Sequence, residues 1–170
     1  YSRFSNPTVS MYEERLALLE GAPIARATAS GMAAVFAALA CYVRAGDRVV
    51  ASRALFGGCL YVITDILPRY GVTVDLVDGT KTEQWERALA KPVKAVFLES
   101  PSNPGLEIID IPLVAELTHK AGGLLIVDNV FASPILQKPL KLGADVVVYS
   151  ATKHIDGQGR VLGGAIMGDP

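Results

Sequence analysis

Lys153 and Asp128 are the two charged residues whose positions point most directly to chemistry. Asp128 closes a short apolar run and Lys153 comes shortly after another, where a charge is unfavourable unless a site uses it. A partly desolvated lysine has a lowered pKa, so its amine can form a Schiff base with a carbonyl. A carboxylate can pair with a ring nitrogen and keep it protonated. Together the two residues suggest an aromatic aldehyde cofactor.

Pyridoxal 5'-phosphate is such a cofactor, and it also needs a phosphate site. Ser30, Gly31 and Met32 begin an Ala-rich segment that is predicted to be a helix. The free N–H groups and positive dipole at a helix N-terminus attract an anion, and glycine lets the backbone approach it. Ser150 and Thr152, which precede the lysine at alternate positions, can add hydroxyl donors to the same phosphate.

Phe56, ahead of two glycines, can stack on the face of the cofactor ring. Taken alone, each candidate has an ordinary structural explanation. The lysine can point to water, the aspartate can belong to a turn, the serines and threonine can cap helices or turns, and the phenylalanine can be a core residue. The combination is what favours a cofactor site.

Other chemical classes lack their sequence signatures. The glycines at 157, 159, 163 and 164 have the wrong spacing for a dinucleotide-binding loop, and no G-x-x-x-x-G-K is present. The sequence has two histidines and no G-x-S-x-G elbow, which argues against a Ser-His-Asp hydrolase. Cys41 and Cys59 are too few for a disulfide framework and lack metal-site spacing, so both are expected to be small core residues.

The composition excludes several classes of protein. With 51% hydrophobic residues, 19% charged residues and a net charge of −1, the chain is expected to fold around a large core and not to bind nucleic acid or a membrane surface. The longest uncharged stretch, between Arg26 and Arg44, has too short an apolar part for a spanning helix. No leader peptide is recognisable, so a cytoplasmic location is expected.

The elements that must position these residues alternate between strand and helix. Short β-rich apolar runs occur at 48–52, 72–77, 93–98, 124–127, 146–149 and 162–167. Several are apolar at every position, as in strands of a parallel sheet that is covered on both faces. The pattern predicts a three-layer α/β fold with a mostly parallel sheet, in which ligands bind at the carboxyl ends of the strands.

Helix boundaries can also be predicted. Ser30 is expected to cap a helix that runs to Arg44, and Asp110 to cap one that runs to Lys120. Further helices are predicted at 11–20, 58–70 and 82–90. Residues 1–170 are expected to be one domain or most of one, cut from a longer chain.

Five separated motifs carry a family resemblance: YSRFSNPT at 1–8, ASGMAA at 29–34, ESPSNP at 99–104, VDN at 127–129 and YSATK at 149–153. The chain resembles the Cys/Met-metabolism enzymes of the fold-type I pyridoxal-phosphate superfamily, from its first residue to its last. The resemblance implies that residues 1–170 are the central part of the cofactor domain. It also implies that they are inactive alone, because the family's C-terminal domain supplies the arginine that binds the substrate carboxylate.

The resemblance also implies roles for single residues. Lys153 would form the Schiff base and later move protons, Asp128 would hold the pyridinium, Asn103 would bond the ring hydroxyl, and Phe56 would stack. The phosphate would be held by Gly31, Met32, Ser150 and Thr152. Tyr1 and Arg3 would reach the phosphate of a neighbouring subunit in a homo-oligomer, expected to be a dimer of dimers.

Two departures from the family pattern bear on the reaction. Phe56 stands where many relatives have a tyrosine that assists proton transfer, and Val130 replaces a frequent threonine. The phenylalanine and the run IDGQGR at 155–160 resemble the O-succinylhomoserine sulfhydrylase branch. That resemblance implies γ-replacement on O-succinyl-L-homoserine, or another O-acylhomoserine, with sulfide to give homocysteine in methionine biosynthesis. A cystathionine γ-synthase, a cystathionine or methionine γ-lyase, and a non-covalent nucleotide-binding α/β domain remain alternatives.

Overall fold

A seven-stranded sheet forms the framework of the computed structural model, which describes residues 1–2 and 4–169. The strands are β1 (Ile24–Thr28), β2 (Arg48–Ser52), β3 (Thr73–Val77), β4 (Ala95–Glu99), β5 (Leu124–Asp128), β6 (Val146–Ser150) and β7 (Gly164–Gly168). Their spatial order is β1-β7-β6-β5-β4-β2-β3. The ladders that join β3, β2, β4, β5 and β6, in this spatial order, are parallel. Strand β7 is antiparallel to both of its neighbours. The predicted mostly parallel sheet is confirmed.

Helices cover both faces of this sheet. They are α1 (Pro7–Glu20), α2 (Gly31–Ala40), α3 (Gly57–Tyr61), α4 (Leu67–Arg69), α5 (Thr82–Leu89), α6 (Ile111–Lys120) and α7 (Ser133–Leu136). A π-helical turn, Val62–Ile66, joins α3 to α4, and a 3₁₀ turn, Pro139–Leu142, precedes β6. Side chains of α1, α5 and α6 pack in one hydrophobic cluster, and those of α2 to α4 pack in a second. The three-layer architecture is therefore also as predicted.

The continuous apolar runs have a direct structural explanation. In β5, Leu125 and Val127 belong to the cluster on one face of the sheet, and Ile126 belongs to the cluster on the other. All three are fully buried. Because neither face meets water, no position of such a strand needs a polar side chain until the carboxyl end is reached.

Side-chain caps define two of the predicted helix starts. Ser30 Oγ accepts the N–H of Ala33 at 3.1 Å, and Asp110 Oδ1 accepts the N–H of Leu113 at 3.0 Å, as predicted. The first of these helices ends at Ala40, not at Arg44 as predicted. Cys41 follows it and is exposed, so the prediction of a core position was wrong for Cys41 and right for Cys59.

The edge strand β1 was missed from the sequence. Its residues, IARAT, are interrupted by an exposed arginine and lack the apolar run that marked the other strands. Across the described part of the chain, no helix is long and apolar enough to cross a membrane.

Candidate active site

A cavity of about 470 Å³ opens where the parallel strands end and α2 begins. That volume lies in the range of small-molecule sites. Nine of the predicted site residues line it: Ser30, Gly31, Met32, Phe56, Asn103, Asp128, Ser150, Thr152 and Lys153. Positions separated by more than 120 residues in the sequence therefore meet at one carboxyl edge of the sheet.

The two other predicted residues lie elsewhere. Tyr1 is 89% exposed and is not among the residues lining the cavity, and Arg3 lies outside the described residues. Their expected contact with a neighbouring subunit stays a prediction.

Close packing of α2 against β6 builds one wall of the cavity. A Cβ atom on Gly31 would lie 2.6 Å from Ser150 Cβ and 2.9 Å from Ser150 Oγ, so glycine is needed for this approach. An α-helix leaves its first N–H groups without intrahelical partners. Ser30 accepts the N–H of Ala33 with its hydroxyl and that of Ala34 with its carbonyl. The N–H groups of Gly31 and Met32 are left at the cavity wall, where an anion can bind.

Lys153 lies in the π-helical turn Ala151–Ile155 that follows β6, and its backbone leaves helical geometry there (φ −94°, ψ −120°). Its side chain lines the cavity but is exposed. The predicted partial desolvation of the amine stays a prediction. Neighbouring Thr152 Oγ1 accepts the N–H of Gly163 at 3.1 Å and holds the turn against the segment before β7.

Asp128 ends β5 with a buried carboxylate. Its Oδ1 accepts the N–H of Val130 at 3.0 Å, and the Cys59 thiol donates to Oδ2 at 3.8 Å. Burial raises the pKa of Asp128 to about 6, and these two hydrogen bonds oppose the shift. A protonated ring nitrogen would be a strong partner for this carboxylate, since an opposite charge stabilises its ionised form.

Glu99 was not assigned a role from the sequence, although it ends a strand as Asp128 does. It lies opposite Asp128 in the β4–β5 ladder and is fully buried. Its Oε2 accepts the N–H of Phe56 at 2.7 Å, which fixes the backbone of the predicted stacking residue. Burial, and secondarily the nearby Asp128 charge, raise the pKa of Glu99 to about 7. Two buried carboxyl groups therefore share this end of the sheet.

Replacing Glu99 by glutamine should change how stability of the cofactor-free protein depends on pH. Burial raises the pKa of Glu99 from its ordinary value of 4.5 to about 7, so the folded state holds the proton more tightly. Wild-type stability should therefore fall as pH rises from about 4.5 through 7. Glu99→Gln keeps an acceptor for Phe56 and removes this loss. We expect the variant to melt at a higher temperature than wild type at pH 8, with a smaller difference at pH 5.5. An equal difference at both pH values would contradict the buried charge.

Further residues line the cavity that sequence reasoning did not select: Val35, Cys59, Val130, Phe131, Tyr149, His154 and Leu162. Most are apolar or aromatic and offer no chemical signature in a single sequence. The Cys59 thiol contacts Asp128, and burial raises the pKa of Cys59, so the thiol is held neutral. Phe131 and His154 lie with ring centroids 6.5 Å apart.

The donor set of the cavity fits the predicted pyridoxal 5'-phosphate. Helix N–H groups suit a phosphate, a buried carboxylate suits a protonated pyridine nitrogen, an aromatic side chain suits the ring, and an amine suits the aldehyde. The close approach at Gly31, which no other residue permits, shows that the helix terminus belongs to the wall of this cavity.

Comparisons with known proteins agree with this donor set. A family model described as "Cys/Met metabolism PLP-dependent enzyme" matches residues 1–170. An O-succinylhomoserine sulfhydrylase of Mycobacterium tuberculosis is 63% identical over 169 residues, which are 99% of this chain and 42% of that protein.

Two solved structures cover 100% of this chain at 38% sequence identity. Cystathionine gamma synthase from Xanthomonas oryzae pv. oryzae, in complex with aminoacrylate and cysteine, superposes with a TM-score of 0.96 over 44% of its chain. An O-acetylhomoserine (thiol)-lyase from Campylobacter jejuni, which holds N'-pyridoxyl-lysine-5'-monophosphate, superposes with a TM-score of 0.94 over 42% of its chain. The present chain spans less than half the length of these relatives.

Proposed function

This chain belongs to the Cys/Met metabolism PLP-dependent enzyme family, and from that premise we propose that the full-length protein is an O-succinylhomoserine sulfhydrylase. The reaction is γ-replacement, in which sulfide displaces succinate from O-succinyl-L-homoserine to give homocysteine. One observation carries the proposal. Lys153, Asp128 and the N-terminus of α2 line a single cavity in a chain that is 63% identical to a protein of that activity.

The cofactor contacts follow from the chemistry of the lining residues. Gly31 and Met32 offer N–H groups for the phosphate, with hydroxyl groups of Ser30, Ser150 and Thr152 nearby on the same wall. Asn103 is assigned to the ring hydroxyl and Phe56 to the ring face. Bound in this way, pyridoxal 5'-phosphate supplies a protonated ring that withdraws electrons from the substrate.

Lys153 and Asp128 have the central roles in the reaction. The Nζ atom of Lys153 would hold the cofactor through its aldehyde and, once released by the substrate amine, would take the proton from the substrate Cα. Asp128 would stabilise the positive charge of the protonated ring nitrogen, so that the ring could withdraw electrons from the substrate. A proton would then leave Cβ, succinate would depart from Cγ with its bonding electrons, sulfide would form the new bond at Cγ, and protons would return to Cβ and Cα.

Phe56 supports replacement over simple elimination. Its side chain lines the cavity, and its backbone is held by the buried Glu99. A phenyl ring can stack on the cofactor but has no hydroxyl to give a proton to a departing thiolate, whereas succinate leaves as a carboxylate and needs no such proton. The position therefore favours a transferase over a β- or γ-lyase.

Product analysis of the full-length protein tests this function. The assay supplies the succinyl and acetyl esters of homoserine, each with sulfide or with cysteine. We expect homocysteine from the succinyl ester and sulfide as the fastest reaction. Faster formation of cystathionine with cysteine would instead favour a cystathionine γ-synthase, an activity for which the Xanthomonas oryzae structure offers support. A colourless protein that retains a nucleotide would favour the non-covalent alternative.

Assembly and location are part of the same proposal. We propose a cytoplasmic homotetramer in which Tyr1 and Arg3 complete the site of a neighbouring subunit. Large apolar side chains that are more than 70% exposed support such contacts: Tyr1, Phe4, Leu18, Ile135, Leu136 and Leu162. The free thiols of Cys41 and Cys59 agree with a reducing compartment. Residues 1–170 are proposed to be part of the cofactor domain, and the rest of the protein to contribute the substrate carboxylate site.

A further inference from the structure

A buried chain of polar side chains runs behind the cavity, from the end of α1 to the loops that follow β4 and β5. The hydroxyl of Tyr149 lies 2.5 Å from Glu20 Oε2 and 2.6 Å from Asn129 Nδ2. Gln137 Nε2 donates to Asn129 Oδ1 at 2.8 Å and to the carbonyl oxygen of Ser100 at 2.7 Å. Glu20, Tyr149 and Asn129 are at most 1% exposed.

The hydrogen bonds of this chain have a fixed direction. The Asn129 amide nitrogen can only donate, so the Tyr149 oxygen accepts from it. The single Tyr149 proton must then go to Glu20, whose carboxylate ends the chain as its acceptor. Tyr149 lines the cavity, but its hydroxyl proton is donated to Glu20 and its oxygen accepts from Asn129. It is therefore unavailable as an acid or base for the substrate.

A charged Glu20 side chain is energetically unfavourable at its position. It is the last residue of α1, where the helix dipole disfavours a negative charge, and it is fully buried. Burial raises the pKa of Glu20, and the hydrogen bond from Tyr149 opposes that shift. Since packing alone would not favour a buried carboxylate here, we infer that the hydrogen bond from Tyr149 to Glu20 has a specific role.

The two central residues of the chain adjoin the site. Asn129 follows Asp128 directly, and Tyr149 precedes Ser150 directly. The Tyr149–Asn129 hydrogen bond thus joins the carboxyl ends of β5 and β6. It lies beside Asp128, the proposed partner of the ring nitrogen, and Ser150, a proposed donor to the phosphate. Without this hydrogen bond, Asp128 and the phosphate side of the cavity would be free to move independently of each other.

We propose that Glu20, Tyr149 and Asn129 are positioning residues that fix Asp128 relative to Ser150 and so set the affinity for pyridoxal 5'-phosphate. This inference rests on the proposed function, because it presumes that the cavity binds this cofactor. It assigns no contact with the cofactor to these three residues. They act through Asp128 and Ser150.

Cofactor affinity of the full-length protein tests the proposal. The cofactor is removed, and pyridoxal 5'-phosphate is titrated back while its visible absorption is recorded. Tyr149→Phe should raise the dissociation constant about ten-fold, since it removes the hydrogen bond between β5 and β6 and leaves the buried Glu20 Oε2 without its donor. Glu20→Ala should have a similar effect, and Glu20→Gln, which retains an acceptor oxygen, should restore most of the affinity. Because the alanine variant also loses buried packing, its melting temperature and dissociation constant are both compared with those of the control variant below.

Thr118→Val is the matched control. Thr118 is fully buried in α6, and its hydroxyl donates to the carbonyl oxygen of Val114 at 2.7 Å, with no link to the cavity. Its loss should lower the melting temperature and leave the dissociation constant unchanged. If Tyr149→Phe does not fold, Gln137→Ala is measured instead, because Gln137 is only partly buried. That variant should weaken binding about three-fold or more.

The possible failures are distinguishable. If the wild-type protein binds no pyridoxal 5'-phosphate, the proposed function is wrong. If wild type binds it and the folded Tyr149 or Gln137 variant binds it equally well, the positioning role is wrong and the proposed function stands.

Discussion

Replacement of Lys153 by alanine in the full-length protein is expected to reduce homocysteine formation by about 10³-fold or more. Proton transfer by one positioned group contributes about 10²- to 10⁴-fold by itself, and the variant also loses covalent attachment of the cofactor. The measurement is the initial rate with O-succinylhomoserine and sulfide at saturating pyridoxal 5'-phosphate. Saturation separates loss of chemistry from loss of cofactor.

Two lysine variants serve as controls for this result. Lys153→Arg keeps the positive charge but provides no amine that can attack an aldehyde, so it should be as inactive as the alanine variant. Lys120→Ala removes an exposed lysine that pairs with Glu116 on α6, and it should retain wild-type activity. Substantial turnover by Lys153→Arg would show that Lys153 acts only through its charge and would overturn its assigned role.

Asp128→Asn is expected to lower kcat by about 10²- to 10³-fold, which is typical of losing one preorganised electrostatic partner. Asparagine retains an acceptor for the Val130 N–H but cannot stabilise a protonated ring nitrogen by charge. The same substitution should stabilise the cofactor-free protein. Burial raises the pKa of Asp128 from its ordinary value of 3.8 to about 6, so at pH 8 the folded state carries an unfavourable charge. The corresponding free energy is on the order of 3 kcal/mol.

Because kcat should fall while stability rises, the expected result differs from that of a variant whose fold is damaged. Thermal melting of the cofactor-free variant at pH 8 should occur above that of wild type, while kcat falls. Asp110→Asn is the matched control, because asparagine caps a helix as well as aspartate does and Asp110 caps α6 away from the cavity. It should change neither quantity. An Asp128→Asn variant with full activity would contradict the role of the carboxylate.

Local signals in the sequence predicted the framework of the fold and most of the residues that line the cavity. Lys153 and Asp128 stand out because a charge at the end of an apolar strand is conspicuous, and Ser30 because it precedes a glycine and an Ala-rich helix. The close packing of Gly31 against Ser150 shows that glycine is required there, whereas the sequence alone indicates only that the backbone can be approached at this position. The edge strand β1 escaped prediction because Arg26 breaks its apolar pattern.

Residues whose roles depend on distant partners could not be assigned in this way. Glu99 ends a strand in the same manner as Asp128, but its contact with the Phe56 backbone spans 43 positions. The Glu20–Tyr149 hydrogen bond spans 129 positions. Nothing local separates these groups from ordinary polar residues, and only the packing of α1 and the strands brings them together.

Locating the covalently bound cofactor shows directly whether Lys153 is the residue that holds it. The full-length protein is reduced with borohydride in the presence of pyridoxal 5'-phosphate, digested with trypsin and examined by mass spectrometry. Because trypsin does not cut after a modified lysine, the predicted product is a pyridoxyl-phosphate-bearing peptide that begins after Lys141 and extends through Lys153 to Arg160. A pyridoxyl group on a different lysine, or an unmodified peptide cleaved after Lys153, would contradict the account.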